Sequence, residues 1–260
     1  MPKTTAKTLQ NPFKTAPQAV IFAEKTEKAL QTYPFADISP DLILKINPRA
    51  KRMALRVDAK ARKVNLVLPK RASMRSAYKF ALEHKYWIRE KISEFPEVIA
   101  FKDGLTFPLL DDDITIKIAY DKSLKRTDIQ LKNNELLVLT NKEDPSSRIR
   151  RFIINHAKER LSTLAHEKAK MAGKKITRID VKDTSSRWGS CSSEGKISFS
   201  WRLIFAPYHA FDYVVAHEVA HLTHMDHSPA FWNHCTDLSA NYSKGKTWMK
   251  RHSGELIRYN

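Results

Sequence analysis

Cysteine is scarce in this chain of 260 residues: Cys191 and Cys235 are the only two. A disulfide framework is therefore excluded, and two free thiols in a reducing cytoplasm are expected. Long apolar runs are missing too. None approaches the roughly 18 residues that a membrane-spanning helix needs, so no membrane partner is expected. Met1 to Val20 has three lysines but no arginine and no apolar core of signal-peptide length, which argues against a targeting segment. No internal repeat or low-complexity block occurs. Negative charge is also short, with 28 Asp+Glu against 46 Lys+Arg and a net charge of +18.

The basic excess is uneven. Residues 51–100 carry 13 Lys+Arg against 5 Asp+Glu, and residues 151–200 carry 11 against 5. Residues 101–150 balance at 9 against 9, and residues 201–260 nearly so at 6 against 5. A basic surface favours acidic partners such as nucleic acid. No nucleic-acid motif accompanies the charge, so a solvated face that keeps the protein soluble accounts for it equally well.

Apolar residues make up 42% of the chain, enough for a buried core. Residues 1–40 have scattered Pro and no sustained period, and read as a basic, flexible extension. A β-rich part follows over 41–144. Asp41–Asn47, Met53–Asp58 and Lys63–Leu68 alternate apolar and polar residues, and the polar stretch Asp58–Arg62 suits a hairpin connection. Ser73 is placed to cap a helix whose apolar positions run from Met74 to Ile92. Asp113–Tyr120 and Glu135–Thr140 read as further strands, the second after a Lys132-Asn133-Asn134 turn.

A third part, 145–260, opens on a long helix with an apolar stripe at Ile149, Phe152, Ile153, Leu161 and Leu164, stopped at Gly173. Arg178–Val181 and Lys196–Leu203 read as strands. A helix then runs from Pro207 to about Thr223, and another starts at Ser228 with Pro229 in its first position. The whole is an α+β protein.

The strongest signal is His217-Glu218-Val219-Ala220-His221. Positions four apart on a helix lie one above the other, so both imidazoles reach one zinc ion from one face. Glu218 lies on the flank, beside a metal-bound water. Phe211, Val215, Val219 and Leu222 form a separate stripe that seats the helix in the core. His166-Glu167 opens the same pattern, but Lys170 stands where its second histidine should be, so that copy is a surface pair.

A third ligand is needed. The only glutamate after Glu218 is Glu255, too near the end to serve well. His224 shares the helix face but lies a turn too far along. His227 follows a Met225-Asp226 turn that can reverse the chain back to the metal, and His234 is the reserve. Three neutral imidazoles leave a fourth position for water, the arrangement of a catalytic zinc. The dication lowers the pKa of that water to about 7. Glu218 takes its proton as it attacks a carbonyl and passes the proton to the leaving amine. A purely structural zinc usually uses cysteine and leaves Glu218 without a role. Asp212, Asp226 and Asp237 are candidates to orient a ligand histidine. Cys191 reads as a packing residue, and Phe231 and Trp232 as packing for the last helix against the metal helix.

The run Arg187-Trp188-Gly189-Ser190-Cys191, then Ile197–Leu203, Ala206-Pro207, Asp212-Tyr213-Val214-Val215, the His217–His221 motif and His227-Ser228-Pro229-Ala230-Phe231-Trp232 resembles the YgjP-like metallopeptidases, relatives of the SprT-like and WLM zinc proteases. The ordered likeness spans about residues 178–250 and continues more loosely back to about residue 41. It implies a zincin-like protease core with Zn2+ held by His217, His221 and His227 and Glu218 as catalytic acid and base; it does not supply the natural substrate, for which a peptide or protein is expected.

Arg187 and Trp188 precede a strand expected beside the metal helix. In zincin-like folds such a strand can pair with an extended peptide. Arg187 would then grip a substrate carbonyl or carboxylate and Trp188 wall a side-chain pocket; otherwise Trp188 packs in the core and Arg187 holds a turn. A second function class is a nucleic-acid-associated protein that uses the zinc fold as scaffold, or, by analogy with SprT-like proteases, a protease acting on nucleic-acid-bound proteins. Nothing in the sequence fixes an oligomeric state.

Overall fold

The computed structural model describes residues 33–184 and 187–259. Most of the expected extension, residues 1–32, lies outside the described residues. The described chain forms two compact units, divided between Phe95 and Pro96, each around its own apolar core. None of its helices is long and apolar enough to cross a membrane.

In the first unit, a one-turn helix α1 (Phe35–Ile38) stands where irregular chain was expected. Phe35 and Ile38, three residues apart, face the same way and are both buried, which is enough to fix one turn. Strands β1 (Leu42–Ile46), β2 (Ala54–Asp58) and β3 (Lys63–Leu68) pair in the order β1-β3-β2. The β2–β3 pair is antiparallel with Asp58 opposite Lys63, so the polar stretch between them is the hairpin loop, and Arg62 takes its left-handed position. The expected single helix is two, α2 (Met74–Glu83) and α3 (Lys85–Ser93). Ser73 caps the first by accepting from the Ser76 amide at 3.1 Å.

The second unit begins with the sheet β4-β5-β7-β6, formed by Thr106–Leu109, Asp112–Tyr120, Glu135–Thr140 and Asp128–Lys132 in that spatial order. Asn133 and Asn134 both have positive φ, the conformation that closes a tight hairpin between β6 and β7. The change from strand to helix pattern near Asp144 falls inside this unit. Helix α4 (Ser146–Met171) shares one core with the sheet: Ile114, Ile116, Leu136 and Val138 pack in the same cluster as Ile149 and Ile153.

A second sheet, β8-β10-β9, joins Arg178–Lys182, Lys196–Ser200 and Gly189–Cys191. β10 runs parallel to β8 and antiparallel to β9, which leaves β9 at the edge. The strand expected to continue to Leu203 stops at Ser200, and Trp201–Phe205 form a 3-10 turn. A strand would send Trp201 and Leu203 to one face and Arg202 to the other, yet all five residues are buried. The turn accommodates this because Arg202 Nε donates to the Tyr259 carbonyl at 2.9 Å and the guanidinium pairs with Asp183. Three helices follow: α5 (Tyr208–Ala220), α6 (Pro229–Leu238) and α7 (Tyr242–His252).

Candidate metal centre

Helix α5 carries the site. Phe211, Val215 and Val219 are buried, so the expected stripe seats the helix in the core. His217 and Glu218 lie in its last turn. His221 follows as the C-cap with helical angles, φ −64° and ψ −15°, so the motif keeps its one-turn spacing to the end. The chain then reverses through 222–227. Ser228 caps α6 by accepting from the Phe231 amide at 3.4 Å, and its own amide donates to Asp226 at 3.3 Å. His227 is held between these two turns.

The reversal brings His227 to the other two histidines. One ring nitrogen from each of His217, His221 and His227 lies within 4.8 Å of the others. His227 Nε2 and His217 Nε2 face each other at 3.3 Å. Tetrahedral zinc with metal–nitrogen bonds of about 2.0–2.1 Å would set two ligand nitrogens about 3.4 Å apart, so that spacing fits a shared ion. The rings are also in the right form. Burial, helped by His221, His227 and Lys246, pushes His217 down to about 4, which keeps the imidazole neutral. Burial lowers His221 as well. The second nitrogen of His221 faces the His224 carbonyl at 2.9 Å; as a donor there it frees the other nitrogen for a metal. His217 Nδ1 is buried without a partner among the described residues.

Aromatic rings fix the imidazoles in place. Phe231 stacks on His221 at 4.5 Å and meets His217 and His227 edge-on at 5.0 and 4.8 Å. Trp232 lies 5.4 Å from His227 and 5.7 Å from His217. Both therefore pack on the histidines themselves as well as between helices.

Glu218 is buried, and burial pushes its carboxyl up to about 8 against the pull of Arg187. β9 passes so close that a methyl at Gly189 would lie 2.5 Å from Glu218 Cγ and Oε1. The histidines and Glu218 line a cavity of about 300 Å³, whose other walls are Arg187, Gly189, Ser190, Cys191 and Met225. Arg187 thus lies beside the histidines and Glu218. Trp188 is half-buried against the core and does not line the cavity.

Three features escaped the sequence. Cys191, read as packing, forms part of the cavity wall; burial and Glu218 push its thiol up to about 11, so it stays protonated. Gly189 was not singled out, although a glycine beside Trp188 in a three-residue strand hints at a close approach. The partner of His221 is the His224 backbone. Of the aspartates considered, Asp212 pairs with Lys168 and Asp226 with Ser228. Cys191 and Cys235 are both free.

Searches of curated proteins and of solved structures returned no match. A family model, the YgjP-like metallopeptidase domain, matches residues 51–252. That span takes in the motif helix, the returning histidine and most of both units, and the chain belongs to the YgjP-like metallopeptidase family.

Proposed function

We propose that this protein is a zinc-dependent peptidase in which His217, His221 and His227 hold the ion and Glu218 is the general base. The observation that carries the reading is the convergence of three imidazole nitrogens beside a buried carboxyl whose pKa is raised toward neutrality. An all-imidazole donor set suits zinc. When bound, the ion would supply Lewis acidity, making a water acidic and polarising the scissile carbonyl.

The rest falls to the chain. Burial raises Glu218 while Arg187 and a neighbouring dication favour its ionised form. The carboxyl can thus accept the proton of the attacking water and return it to the departing amine near neutral pH. Gly189 leaves it room to do so. Arg187, exposed at the rim, is placed to hold a substrate carbonyl or carboxylate. Edge strand β9 offers backbone groups for an extended peptide.

The test is a pair of variants assayed for metal content and for cleavage of a labelled, unfolded protein. Glu218→Gln retains zinc and loses cleavage. His227→Ala loses both. Cleavage that persists in Glu218→Gln overturns the assigned base, and zinc content unchanged in His227→Ala overturns the ligand set.

A further inference from the structure

A cavity larger than the one at the metal centre lies elsewhere in the second unit. It is a cleft of about 480 Å³ between the start of α4 and the end of the four-stranded sheet. Five cations line it: Lys125, Arg126, Lys142, Arg148 and Arg151. No carboxylate lines it, and among the described residues none of the five is in a salt bridge. Like charges converging without counter-ions repel one another and weaken the fold. An anionic ligand relieves that repulsion.

The walls are built. Arg148, Arg151 and Asn155 follow helical spacing on α4 and form one side. The other side is the chain leading into β6. It is pinned by Asn141 Nδ2 donating to the Leu124 carbonyl at 2.8 Å and by Thr127 and Thr140 hydroxyls at 2.8 Å. Asp121 turns to its own Ser123 amide, away from the role of counter-ion. The cleft and the cavity at the metal centre share no residue.

The floor narrows the ligand. Phe152 and Ile129 present apolar surface there, and Asn141 and Asn155 present carboxamides. Cations from both walls, an aromatic ring and carboxamides around one cleft form the combination that takes phosphates, base faces and base edges together. A chain of carboxylates alone would leave the ring unused. The cations are exposed, so the cleft is open to a passing strand. We propose that this cleft binds single-stranded nucleic acid, its cations on the phosphodiester backbone and Phe152 with the two carboxamides on the bases. The site is independent of the peptidase reading. It also differs from the basic segments noted in the sequence: most of its cations come from residues 101–150, where the net charge is zero.

The experiment uses the full-length protein and a fluorescein-labelled 20-nucleotide oligo-dT, with anisotropy followed across a series of NaCl concentrations. Each phosphate contact to a single strand contributes about −0.7 to the slope of log K against log salt. The variant Arg126→Ala/Arg148→Ala/Arg151→Ala should weaken binding at least tenfold and flatten the slope by about 2. The charge-matched control Lys70→Ala/Arg71→Ala/Arg75→Ala, all exposed positions of the first unit, should change binding less than twofold. Equal melting temperatures for both variants and the parent exclude misfolding as the cause. Unchanged binding in the cleft variant, or an equal loss in the control, overturns the proposal. So does displacement of the oligonucleotide by an equal charge concentration of poly-glutamate or inorganic polyphosphate, which would make the cleft a general anion site.

Discussion

A methyl group at position 189 would sit 2.5 Å from both Cγ and Oε1 of Glu218, and β9 cannot retreat without losing its ladder with β10. Gly189→Ala should therefore push Glu218 aside while leaving the three histidines where they are. A displacement of about 1 Å can cost about 100-fold in rate; kcat should fall by about that factor with zinc content unchanged. Loss of zinc in step with kcat would show instead that the glycine maintains the whole site. Glu218 makes a second prediction, for the protein held in chelator. Its carboxyl moves from an ordinary 4.5 to about 8 on folding, so between those values the native state binds the extra proton. Stability from this group is full below about pH 4.5 and is lost as pH rises to about 8. Glu218→Gln escapes that loss. In urea unfolding the variant should be more stable than the parent at pH 8, and the gap should close toward pH 4.5. Equal stability at pH 8 would mean that the buried carboxyl ionises without penalty. His217, Glu218 and His221 were legible as a cluster because helix geometry is local. Gly189 and the His224 carbonyl were not, because one acts across a strand–helix contact and the other through the backbone.

At the scale of elements, one buried ion pair ties three helices together. Lys168 of α4 meets Asp212 of α5 at 2.5 Å and donates to the Leu238 carbonyl at the end of α6, while Ser239 bonds the other oxygen of Asp212. Asp212→Ala leaves a buried ammonium without its partner, which costs about 3–5 kcal/mol. Replacing both partners, as in Lys168→Met/Asp212→Leu, should cost much less, and denaturant midpoints of the two proteins decide it. Equal losses would assign the effect to Asp212 packing alone. Helix α7 is held differently. A Cβ at Gly245 would lie 2.2 Å from the His209 carbonyl and 2.4 Å from Tyr213 Cβ, so the glycine permits α5 and α7 to touch. The sequence showed the stripes of α4 and α5 because their apolar spacing is long and regular. It did not show β4, which carries Pro108 in its middle, nor β6, nor β9 with its three residues. It carried β10 too far because apolar alternation at Trp201 and Leu203 is the same in a strand as in a buried 3-10 turn.

For the whole molecule, composition averaged over windows of sequence is a poor guide to surface charge. Residues 101–150 balance at 9 against 9, yet they supply much of a cleft with five cations and no carboxylate, because none of the acidic residues of the same segment lines it. The three candidate metal ligands pose the opposite case. They are close in sequence but are anchored by α5 and α6, which the core of the second unit holds in place, so binding a metal is linked to folding that unit. An ion that binds only the folded form stabilises it by about 2.7 kcal/mol at a free concentration of about 100 times Kd. For a protein of this size each kcal/mol moves Tm by about 2–4 °C, so chelation should lower the melting temperature by about 5–10 °C. His227→Ala, with one ligand gone, should melt at the same temperature with and without chelator. A parent protein whose Tm ignores chelation would separate the histidine cluster from any metal, and the hydrolytic reading of Glu218 would fall with it.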